Sequence, residues 1–294
     1  MEQYSVLMSV YHKERPEHFE TAVRSMLEQT VPTDDFVIVC DGPLTEELDT
    51  VLEKLAAEAP DTIHPLRLEK NVGIGMAANI GLKACRHDLV AKMDADDISL
   101  PDRCARQLAL FAQEPALVIC GGYIEEFEQD PAQPFDMRVV PQSSEEIFRM
   151  GRRRQPFNNM TVMYRQSAVW AVGGYSDLRR NEDFDLYARL MAAGYQGANL
   201  PVVVVKARVD RDAHRRRKGM DTLKGCVHSR YRAYKAGYAS FFDLCYCVAG
   251  QLLVVLCPGK VQRWIYSTLF RTPCSADSAL SPAGEKKEHA ETAP

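Results

Sequence analysis

Three carboxylates stand close together in the segment Asp94-Ala95-Asp96-Asp97, directly after an apolar stretch. Negative charges this close repel one another strongly unless water, protons or a cation compensate them. Carboxylate oxygens are the ligands that Mg²⁺ and Mn²⁺ prefer, and these ions commonly take further ligands from substrate phosphates. The cluster therefore predicts a divalent metal site for a phosphorylated substrate. A solvated turn that caps the next helix through Asp97 or Ser99 explains the same residues equally well.

A second acidic segment, Asn181-Glu182-Asp183-Phe184-Asp185, stands at the predicted start of a helix. Carboxylates at this position are stabilised by unpaired backbone N–H groups and by the positive end of the helix, so capping is a sufficient explanation. The alternative is catalytic. If the helix lies across the mouth of a sheet, one carboxylate can accept a proton from a hydroxyl group while a metal holds a leaving diphosphate.

The third candidate motif is glycine-rich and runs from Asn71 to Ala78 as Asn-Val-Gly-Ile-Gly-Met-Ala-Ala. It contains G-x-G-x-x-A between a predicted strand and a predicted helix, with Asp94 about 20 residues further along, as in dinucleotide-binding sites. Two features weigh against a nicotinamide-dependent oxidoreductase. The motif follows the third predicted strand rather than the first, and Asp94 belongs to a cluster that repels a diphosphate when no metal is present. Under either function the glycines also permit a tight turn into a packed helix.

The first third of the chain alternates strand-like and helix-like segments, and this alternation positions the motifs. Predicted strands are Tyr4–Val10, Phe36–Cys40, Thr62–Leu68 and Leu89–Met93. Predicted helices include Leu48–Ala59, Gly75–Cys85 and a helix that opens at Pro101. Repeated βα units predict an α/β fold with a mainly parallel central sheet flanked by helices, in which ligands bind beyond the carboxyl ends of the strands. Asp41 and the Asp94–Asp97 cluster both follow such ends, so topology brings them to one edge.

The middle of the chain has a mixed pattern. Predicted short strands are Leu117–Cys120, Tyr123–Phe127, Thr161–Tyr164 and Val202–Val205. A helix is expected from about Asn181 to Ala193, ended by Gly194, because glycine tolerates the left-handed conformation that closes many helices.

Composition excludes several classes of protein. The 294 residues are 46% hydrophobic, which is enough to form a core. Nine cysteines, an odd number without a C-x-x-C pair, argue against a disulfide framework or a zinc ribbon. The start of the chain has no signal-peptide pattern, so a cytoplasmic location is expected.

The net charge of −4 hides two opposed regions. Residues 206–235 contain 11 Lys and Arg against three Asp, a local charge of +8, so the rest of the chain carries −12. Residues 236–256 then contain one charge, Asp243, and the apolar core 244–257 has 14 residues, whereas a spanning helix needs ~20. We therefore expect residues 206–271 to form a basic and apolar helical extension, followed by a disordered tail over 272–294.

This extension suits an anionic membrane surface, because basic residues flank the apolar segment and aromatic residues follow it. The residues beyond the apolar segment that support this interpretation are Lys260, Arg263, Trp264 and Tyr266. Nucleic acid is disfavoured as a partner, since no aromatic residues that could stack on bases accompany the arginines.

Taken together, the ordered motifs resemble those of the family-2 glycosyltransferases. These are inverting enzymes of the GT-A fold that move sugars from nucleotide diphosphates to acceptor hydroxyls. The resemblance covers about residues 5–205. It rests on Ser5–Tyr11 with Glu14, Ile38–Gly42, Asn71–Gly75 with Ala78–Gly81, Asp94–Asp97, and Gly173–Tyr175 leading to Glu182-Asp183. It also assigns the glycine-rich motif to the donor pocket of a catalytic domain over residues 1–205.

The resemblance implies a role for individual residues. Donor-binding residues would be Tyr11, Glu14, Asp41, Asn71, Gly73, Asn79 and Asp94, with Asp41 reading the base. Asp94 and Asp96 match the family's metal-binding DxD element, in which Asp96 is expected to hold Mg²⁺ or Mn²⁺ most directly while Asp94 contacts the sugar or ribose. Asp183 is the expected general base, with Glu182 nearby on the acceptor side.

The resemblance extends to the biological setting. The C-terminal segment is similar to that of bacterial enzymes that build capsule, exopolysaccharide or lipopolysaccharide units. This implies a UDP-sugar donor, a polyprenyl-diphosphate-linked glycan acceptor and a peripheral position on the inner face of the cytoplasmic membrane. Some positions depart from the common family pattern, namely Ser9, His12, Cys40 and Asn159. None of them removes a catalytic carboxylate. A non-catalytic nucleotide-sugar-binding protein remains the alternative.

Overall fold

The computed structural model describes residues 2–209, 220–256 and 272–273. The strands are β1 (Tyr4–Val10), β2 (Phe36–Cys40), β3 (Ile63–Arg67), β4 (Leu89–Asp94), β5 (Ile98–Ser99), β6 (Leu117–Phe127), β7 (Asp136–Arg138), β8 (Met163–Arg165), β9 (Gln196–Arg208) and β10 (Thr272–Pro273). The helices are α1 (Pro16–Leu27), α2 (Glu46–Glu58), α3 (Ile74–Ala84), α4 (Arg103–Gln113), α5 (Ser144–Gly151), α6 (Gln166–Ala171), α7 (Glu182–Ala192), α8 (Met220–Lys235) and α9 (Phe241–Leu256).

The strands form one sheet in the order β10-β7-β6-β8-β4-β1-β2-β3, and β9 pairs with both β5 and β6. Strands β3, β2, β1 and β4 are parallel, with Met8 opposite Ile38 on one side and Met93 on the other. Strand β8 is antiparallel to both β4 and β6. The predicted α/β class is therefore confirmed, and the predicted parallel sheet is continued by a mixed half, in which β6 is antiparallel to β7 and β8 and parallel to β9.

Helices cover both faces of the parallel strands, which explains why β1 and β2 are buried along nearly their whole length. All five residues of β2 are buried. On one face, alternate β1 residues such as Val6 and Met8 pack with α1, α2 and α4. On the other face, Leu7 packs with α3, α6 and α7. Because β1 is parallel to both β2 and β4, the carboxyl ends of these strands lie on the same side of the sheet.

The two short strands expected over Leu117–Cys120 and Tyr123–Phe127 are one strand, β6, which contains Gly121 and Gly122. A Cβ atom on Gly121 would come within 2.5 Å of Asn199 Oδ1, and one on Gly122 within 2.7 Å of Val204 Cγ2. The glycines therefore permit a close approach between β6 and β9 rather than a turn. Strand β9 is longer than predicted and continues to Arg208. The end of the catalytic domain expected after Val205 therefore lies inside this strand.

Other element bounds also differ from expectation. The helix expected to open at Pro101 begins at Arg103, and the predicted strand 161–164 is a 3₁₀ turn over Asn159–Thr161 followed by β8. Thr272 and Pro273, expected to begin a disordered tail, pair with β7. The basic run 215–218, the residues expected at the headgroups over 260–266 and the remaining tail lie outside the described residues.

The C-terminal hairpin, defined here as residues 220–256, consists of α8 and α9 joined by a short turn, and its first helix packs on α7. Its apolar side chains Ala233, Tyr238 and Ala239 join the same core as α7. Within the residues that the structure describes, no helix combines the length and apolarity needed to cross a bilayer.

Candidate active site

A cavity of about 1080 Å³ opens at the carboxyl ends of β1, β2 and β4. Parallel strands end on the same edge of a sheet, so residues distant in sequence meet there. The predicted site residues that line it are Tyr11, Glu14, Asp41, Asn71, Gly73, Asp94 and Asp96. Cationic residues that also line it are Lys13, Lys70, Lys92, Arg179 and Arg180. The cavity thus combines acidic and basic groups suited to a metal and a diphosphate.

Asp41 is buried at the end of β2, where its carboxylate accepts three hydrogen bonds from one loop. Oδ1 accepts from the backbone N–H of Val72 at 2.7 Å. Oδ2 accepts from Asn71 Nδ2 at 2.9 Å and from the backbone N–H of Gly73 at 3.1 Å. Gly73 adopts φ 90°, which other residues rarely adopt, and this conformation turns the loop over the carboxylate. Asp41 therefore shapes the donor side of the cavity as well as lining it.

The three carboxylates after β4 lie in different surroundings. Asp94 Oδ1 lies 2.6 Å from the Nζ of Lys92, a buried lysine on the same face of the strand. Asp97 is buried and accepts a hydrogen bond from the backbone N–H of Arg208 at 2.8 Å, which ties the end of β4 to β9. Burial, the charge of Asp94 and that of Glu14 raise the pKa of Asp96 to about 7. Asp96 therefore lies in a negative field that a bound cation would relieve.

The donor set at this edge fits a divalent ion that is shared with a substrate. In the described part of the chain, no group of three or more His, Cys, Asp or Glu side chains is arranged to hold a metal. Mg²⁺ typically uses one or two carboxylates, and substrate phosphates and water complete its coordination. Asp94 and Asp96 provide that number of carboxylates at the cavity edge. The residues therefore fit Mg²⁺ or Mn²⁺ bound together with a diphosphate.

The second acidic pair stands at the start of α7. Its cap residue, Asn181, has φ 62°, a left-handed conformation that turns the chain sharply into the helix. Glu182 is buried against α3. A Cβ atom added to Gly75 of that helix would lie 3.2 Å from the Cβ of Glu182. Asp183 Oδ2 accepts a hydrogen bond from Gln155 Nε2 at 2.7 Å, and Oδ1 accepts one from the backbone N–H of Phe184.

Burial raises the pKa of Asp183, and burial together with the charge of Asp183 raises that of Glu182 to about 7. The charges of Lys92 and Asp94 act on both carboxyls, which places the pair within electrostatic range of the end of β4. A raised pKa near neutrality suits a group that accepts and releases a proton. Neither residue is among those that line the cavity, so the pair lies beside the donor space rather than within it.

Asn79 joins two segments beside the site. Its Nδ2 donates to the backbone carbonyl of Tyr175 at 2.8 Å, and its Oδ1 accepts from the backbone N–H of Tyr175 at 2.8 Å. Both ends of the amide are therefore used to tie α3 to the segment that precedes α7. Asn79 is not among the residues that line the cavity, so its expected contact with the donor stays a prediction.

Three residues near these carboxylates were not singled out by the sequence reasoning. Lys92 is the one charge inside the apolar run Leu89–Met93, a signal that could have marked it. Arg208 was grouped with the basic extension, yet it belongs to β9, and its Nε donates to the backbone carbonyl of Asp96. Gln155 carries no sequence signal, because its contact with Asp183 depends on the folded chain.

Comparison with protein families identifies the chain. The model described as "Glycosyl transferase family 2" matches residues 5–173, more than half of the sequence. The chain belongs to this family. The protein is therefore a glycosyltransferase, and this resolves the ambiguity of the glycine-rich motif, whose Gly73 and Gly75 contact Asp41 and Glu182.

Two curated relatives of this glycosyltransferase match over nearly their whole length. It is 35% identical to the amylovoran biosynthesis glycosyltransferase AmsE of Erwinia amylovora, over 90% of this chain and 97% of the relative. It is 32% identical to an Escherichia coli protein named UDP-Gal:alpha-D-GlcNAc-diphosphoundecaprenol beta-1,3-galactosyltransferase, over 92% of this chain and 97% of the relative.

Solved structures confirm the GT-A fold. The mannosyltransferase PcManGT of Pyrobaculum calidifontis, in complex with GDP-Man and Mn²⁺, superposes with a TM-score of 0.61 at 16% identity, covering 91% of this chain and 76% of that one. Residues 1–349 of S. aureus TarS in complex with UDP-GlcNAc give a TM-score of 0.60 at 15% identity, covering 91% and 73%.

Proposed function

We propose that this glycosyltransferase moves a sugar from a UDP-sugar to a hydroxyl group of a polyprenyl-diphosphate-linked glycan, with inversion of configuration, during synthesis of a bacterial surface polysaccharide. The name of the E. coli relative, with its UDP donor and lipid-diphosphate acceptor, supports the substrate class. The observation that carries the proposal is the position of the Glu182-Asp183 pair at the start of α7, where the buried Glu182 packs against α3 beside the cavity that Asp94 and Asp96 line.

The donor side of the cavity holds the nucleotide in this proposal. Asp41 fixes the loop that contains Asn71 and Gly73, and Tyr11 and Glu14 line the facing wall at the end of β1. Asp94 and Asp96 face the diphosphate. A divalent ion bound there offsets the negative charge of the leaving UDP. The chain thereby fixes the donor before an acceptor arrives, and positioning of this kind supplies much of the rate of a transfer reaction.

Asp183 accepts the proton of the acceptor hydroxyl in this mechanism. The hydroxyl oxygen then forms a bond to the anomeric carbon on the face opposite the diphosphate, while the bond from that carbon to the phosphate oxygen breaks. UDP leaves with the bonding electron pair, and the proton stays on Asp183 until water removes it. Burial raises the pKa of Asp183, which keeps its proton affinity high enough for this step.

The C-terminal hairpin contains the surface expected to contact the membrane. Its side chains Phe241, Phe242, Tyr246 and Leu253 are exposed by 58%, 80%, 64% and 62%. Arg153 lies over the Tyr246 ring, 5.2 Å from its centroid, so a cation borders this apolar face. Aromatic residues next to arginines suit the headgroup region of anionic lipids. We propose that the protein binds the inner face of the cytoplasmic membrane there, close to a lipid-linked acceptor.

A transfer assay tests the catalytic proposal. Purified enzyme is incubated with a panel of UDP-sugars, a synthetic polyprenyl-diphosphate-linked sugar and Mg²⁺ or Mn²⁺, and the products are identified by mass spectrometry and by the NMR coupling constant of the new anomeric proton. We expect one glycosylated product of inverted configuration, lost when EDTA is added. UDP-sugar binding without turnover across the panel would instead indicate a non-catalytic module.

A co-sedimentation assay with liposomes tests the membrane proposal. We expect the full chain to bind vesicles that contain anionic lipid, to release at high salt, and to lose binding when Phe242 and Tyr246 are both changed to Ser. Phe135→Ser is the matched control, because this exposed aromatic residue lies outside the hairpin. Equal binding by the double variant and the control would refute the assignment of this face.

A further inference from the structure

The first observation concerns the contacts between α8 and the helix of the catalytic pair. Arg232 Nε lies 3.2 Å from Oδ1 of Asp185, which is buried in α7. The guanidinium of Arg230 stacks on the ring of Phe184, 3.3 Å from its centroid. These two contacts reach the two residues that follow Asp183 in the chain. The hairpin therefore holds α7 at the turn that presents the catalytic carboxylate.

The buried carboxylate of Asp185 extends this contact to the segment before α7. Arg189 Nη2 lies 2.9 Å from Asp185 Oδ2 and also donates to the backbone carbonyl of Gly174 at 2.7 Å. The loop of Gly174, in turn, is tied to α3 through Asn79 and the backbone of Tyr175. Asp185 thus joins α8, α7 and the donor side of the site through charged and hydrogen-bonded groups.

The second observation concerns the segment on the other side of Asp183. Arg153 forms an ion pair with Asp243 of α9, and the Cys247 thiol donates to the backbone carbonyl of Arg153 at 3.4 Å. Although burial opposes it, hydrogen bonds from Ser240 and Arg153 lower the pKa of Asp243 to about 2, so this anchor stays charged at neutral pH. The second helix of the hairpin therefore fixes the backbone two residues before Gln155.

Gln155 then makes the contact that reaches the catalytic group. Its Nε2 donates to Asp183 Oδ2 at 2.7 Å. Its Oε1 is buried, and in the described residues no hydrogen bond reaches it. An unsatisfied buried acceptor destabilises the folded state, so this orientation of the amide is maintained against a local penalty. The amide is oriented by its contact with Asp183.

We propose that the C-terminal hairpin positions the Asp183 carboxylate from two sides, through Gln155 on the segment held by α9 and through Arg232 and Arg230 of α8. Gln155 and Arg232 are positioning residues, since each acts through another group. The inference rests on the proposed role of Asp183 as the general base. A base must lie within hydrogen-bonding reach of the hydroxyl it deprotonates, and a misplacement of about 1 Å costs on the order of 10²-fold in rate.

A merely structural role for these contacts would leave a different signature. The Arg232 side chain is 41% exposed, and the buried Asp185 keeps Arg189 as a second ion-pair partner when Arg232 is removed. Loss of Arg232 should therefore affect folding little. A positioning role predicts a fall in kcat with unchanged donor binding, whereas a structural role predicts parallel losses in both.

The test compares Gln155→Leu, Arg232→Ala and Arg232→Lys with the wild-type full chain and with Lys235→Ala, an exposed lysine at the end of α8. With a UDP-sugar and acceptor that the enzyme uses, we expect kcat to fall about 10–100-fold for Gln155→Leu and about 3–10-fold for Arg232→Ala. KM for the donor should change less than about twofold. Arg232→Lys should recover part of the loss, and Lys235→Ala should behave as wild type.

Hydrogen exchange supplies a readout that does not depend on turnover. Backbone amides of residues 182–190 should exchange faster in Arg232→Ala than in wild type, and Lys235→Ala should not change them. If the wild-type enzyme transfers no sugar, the proposed function fails. The exchange rates of residues 182–190 still show whether Arg232 stabilises α7. Unchanged kcat in Gln155→Leu and Arg232→Ala, or losses of kcat and UDP affinity in parallel, would overturn the proposal.

Discussion

Asp41 and Asp183 are both carboxylates beside the same cavity, yet they are stabilised in different ways. Asp41 accepts two backbone N–H groups and one side-chain amide, all from a single loop. Asp183 accepts one amide from Gln155 and the N–H of the residue that follows it, and burial raises its pKa. A carboxylate well supplied with donors is suited to fixed binding. One that has fewer donors and a raised pKa is suited to accepting a proton.

The difference extends to the elements around each carboxylate. We call the surroundings of Asp41 the donor half of the site and those of Asp183 the acceptor half. The donor half comes from consecutive parallel βα units, and its loops meet because neighbouring strands end together. The acceptor half gathers the 152–155 segment, α7 and the C-terminal hairpin, which contact one another only in the folded chain. We infer that substitutions in the donor half change affinity, while those in the acceptor half change turnover.

The largest expected effect is on turnover. Asp183→Asn removes the carboxylate that we propose as the proton acceptor and should lower kcat by about 10²–10⁴-fold, the usual contribution of general-base catalysis. UDP affinity, measured by calorimetry, should stay within about twofold of wild type, because Asp183 lies beside the donor space. Asp130→Asn, at an exposed loop position, is the control. Retained turnover in Asp183→Asn would place the base elsewhere.

The second prediction uses the pH dependence of stability. The pKa of Glu182 is raised to about 7 by burial and by Asp183, against an ordinary value of 4.5. The folded state therefore keeps a proton that the unfolded state loses, so stability falls as the pH rises from about 4.5 to about 7. Glu182→Gln should remove this loss and stabilise the protein by up to about 3 kcal/mol at pH 8.

Urea unfolding at pH 4.5 and pH 8 measures this effect. The stability difference between Glu182→Gln and wild type should be larger at pH 8, and the exposed Glu145→Gln on α5 should show no such trend. A gain of equal size at both pH values would mean that burial of the charge does not limit stability at this site.

The third prediction concerns the metal-binding edge. Asp96→Ala removes a carboxylate that we expect to hold the divalent ion, and it should weaken Mg²⁺- or Mn²⁺-supported UDP binding by about 10–100-fold, the scale on which metal sites respond to altered ligation. Calorimetry with and without EDTA measures the effect. Undiminished UDP binding after both EDTA and Asp96→Ala would contradict the metal assignment.

The smallest expected effect is on donor affinity alone. Asp41→Ala leaves the N–H groups of Val72 and Gly73 without their acceptor, so the loop loses its anchor. Loss of hydrogen bonds to a charged group costs about 1–3 kcal/mol, and part of this should appear as an about tenfold rise in donor KM. kcat at saturating donor should change little. A fall in kcat with unchanged KM would reverse the distinction between the two halves.

Much of the fold follows from local sequence patterns, and the exceptions have identifiable causes. Apolar runs and helical periodicity predict the four parallel strands correctly to within one residue at each end. β6 is one strand where two were expected, because a glycine looks the same in sequence whether it frees the backbone or admits a close neighbour. The length of β9 was underestimated, since its pairing with β6 extends past the apolar residues into Lys206 and Arg208.

The candidate site was also predicted in large part from the sequence. Seven of the residues expected there line the cavity, because acidic and glycine-rich motifs stand at strand ends and parallel strands end together. Asn79 was the exception on the donor side, since an amide at a helix surface can bind a ligand or a neighbouring backbone with the same chemistry. Which of these partners the amide binds depends on the group that the folded chain places next to it.

The sequence by itself determined which carboxylates follow strand ends in this glycosyltransferase, because the alternation of strand and helix patterns is a local property of the chain. Only the tertiary structure decided what each carboxylate does. It paired Asp97 with the backbone of Arg208, gave Asp183 the amide of Gln155, and buried Glu182 until its pKa approached neutrality. Burial and long-range partners set the charge state of a carboxyl group, and neither is present until distant segments pack together.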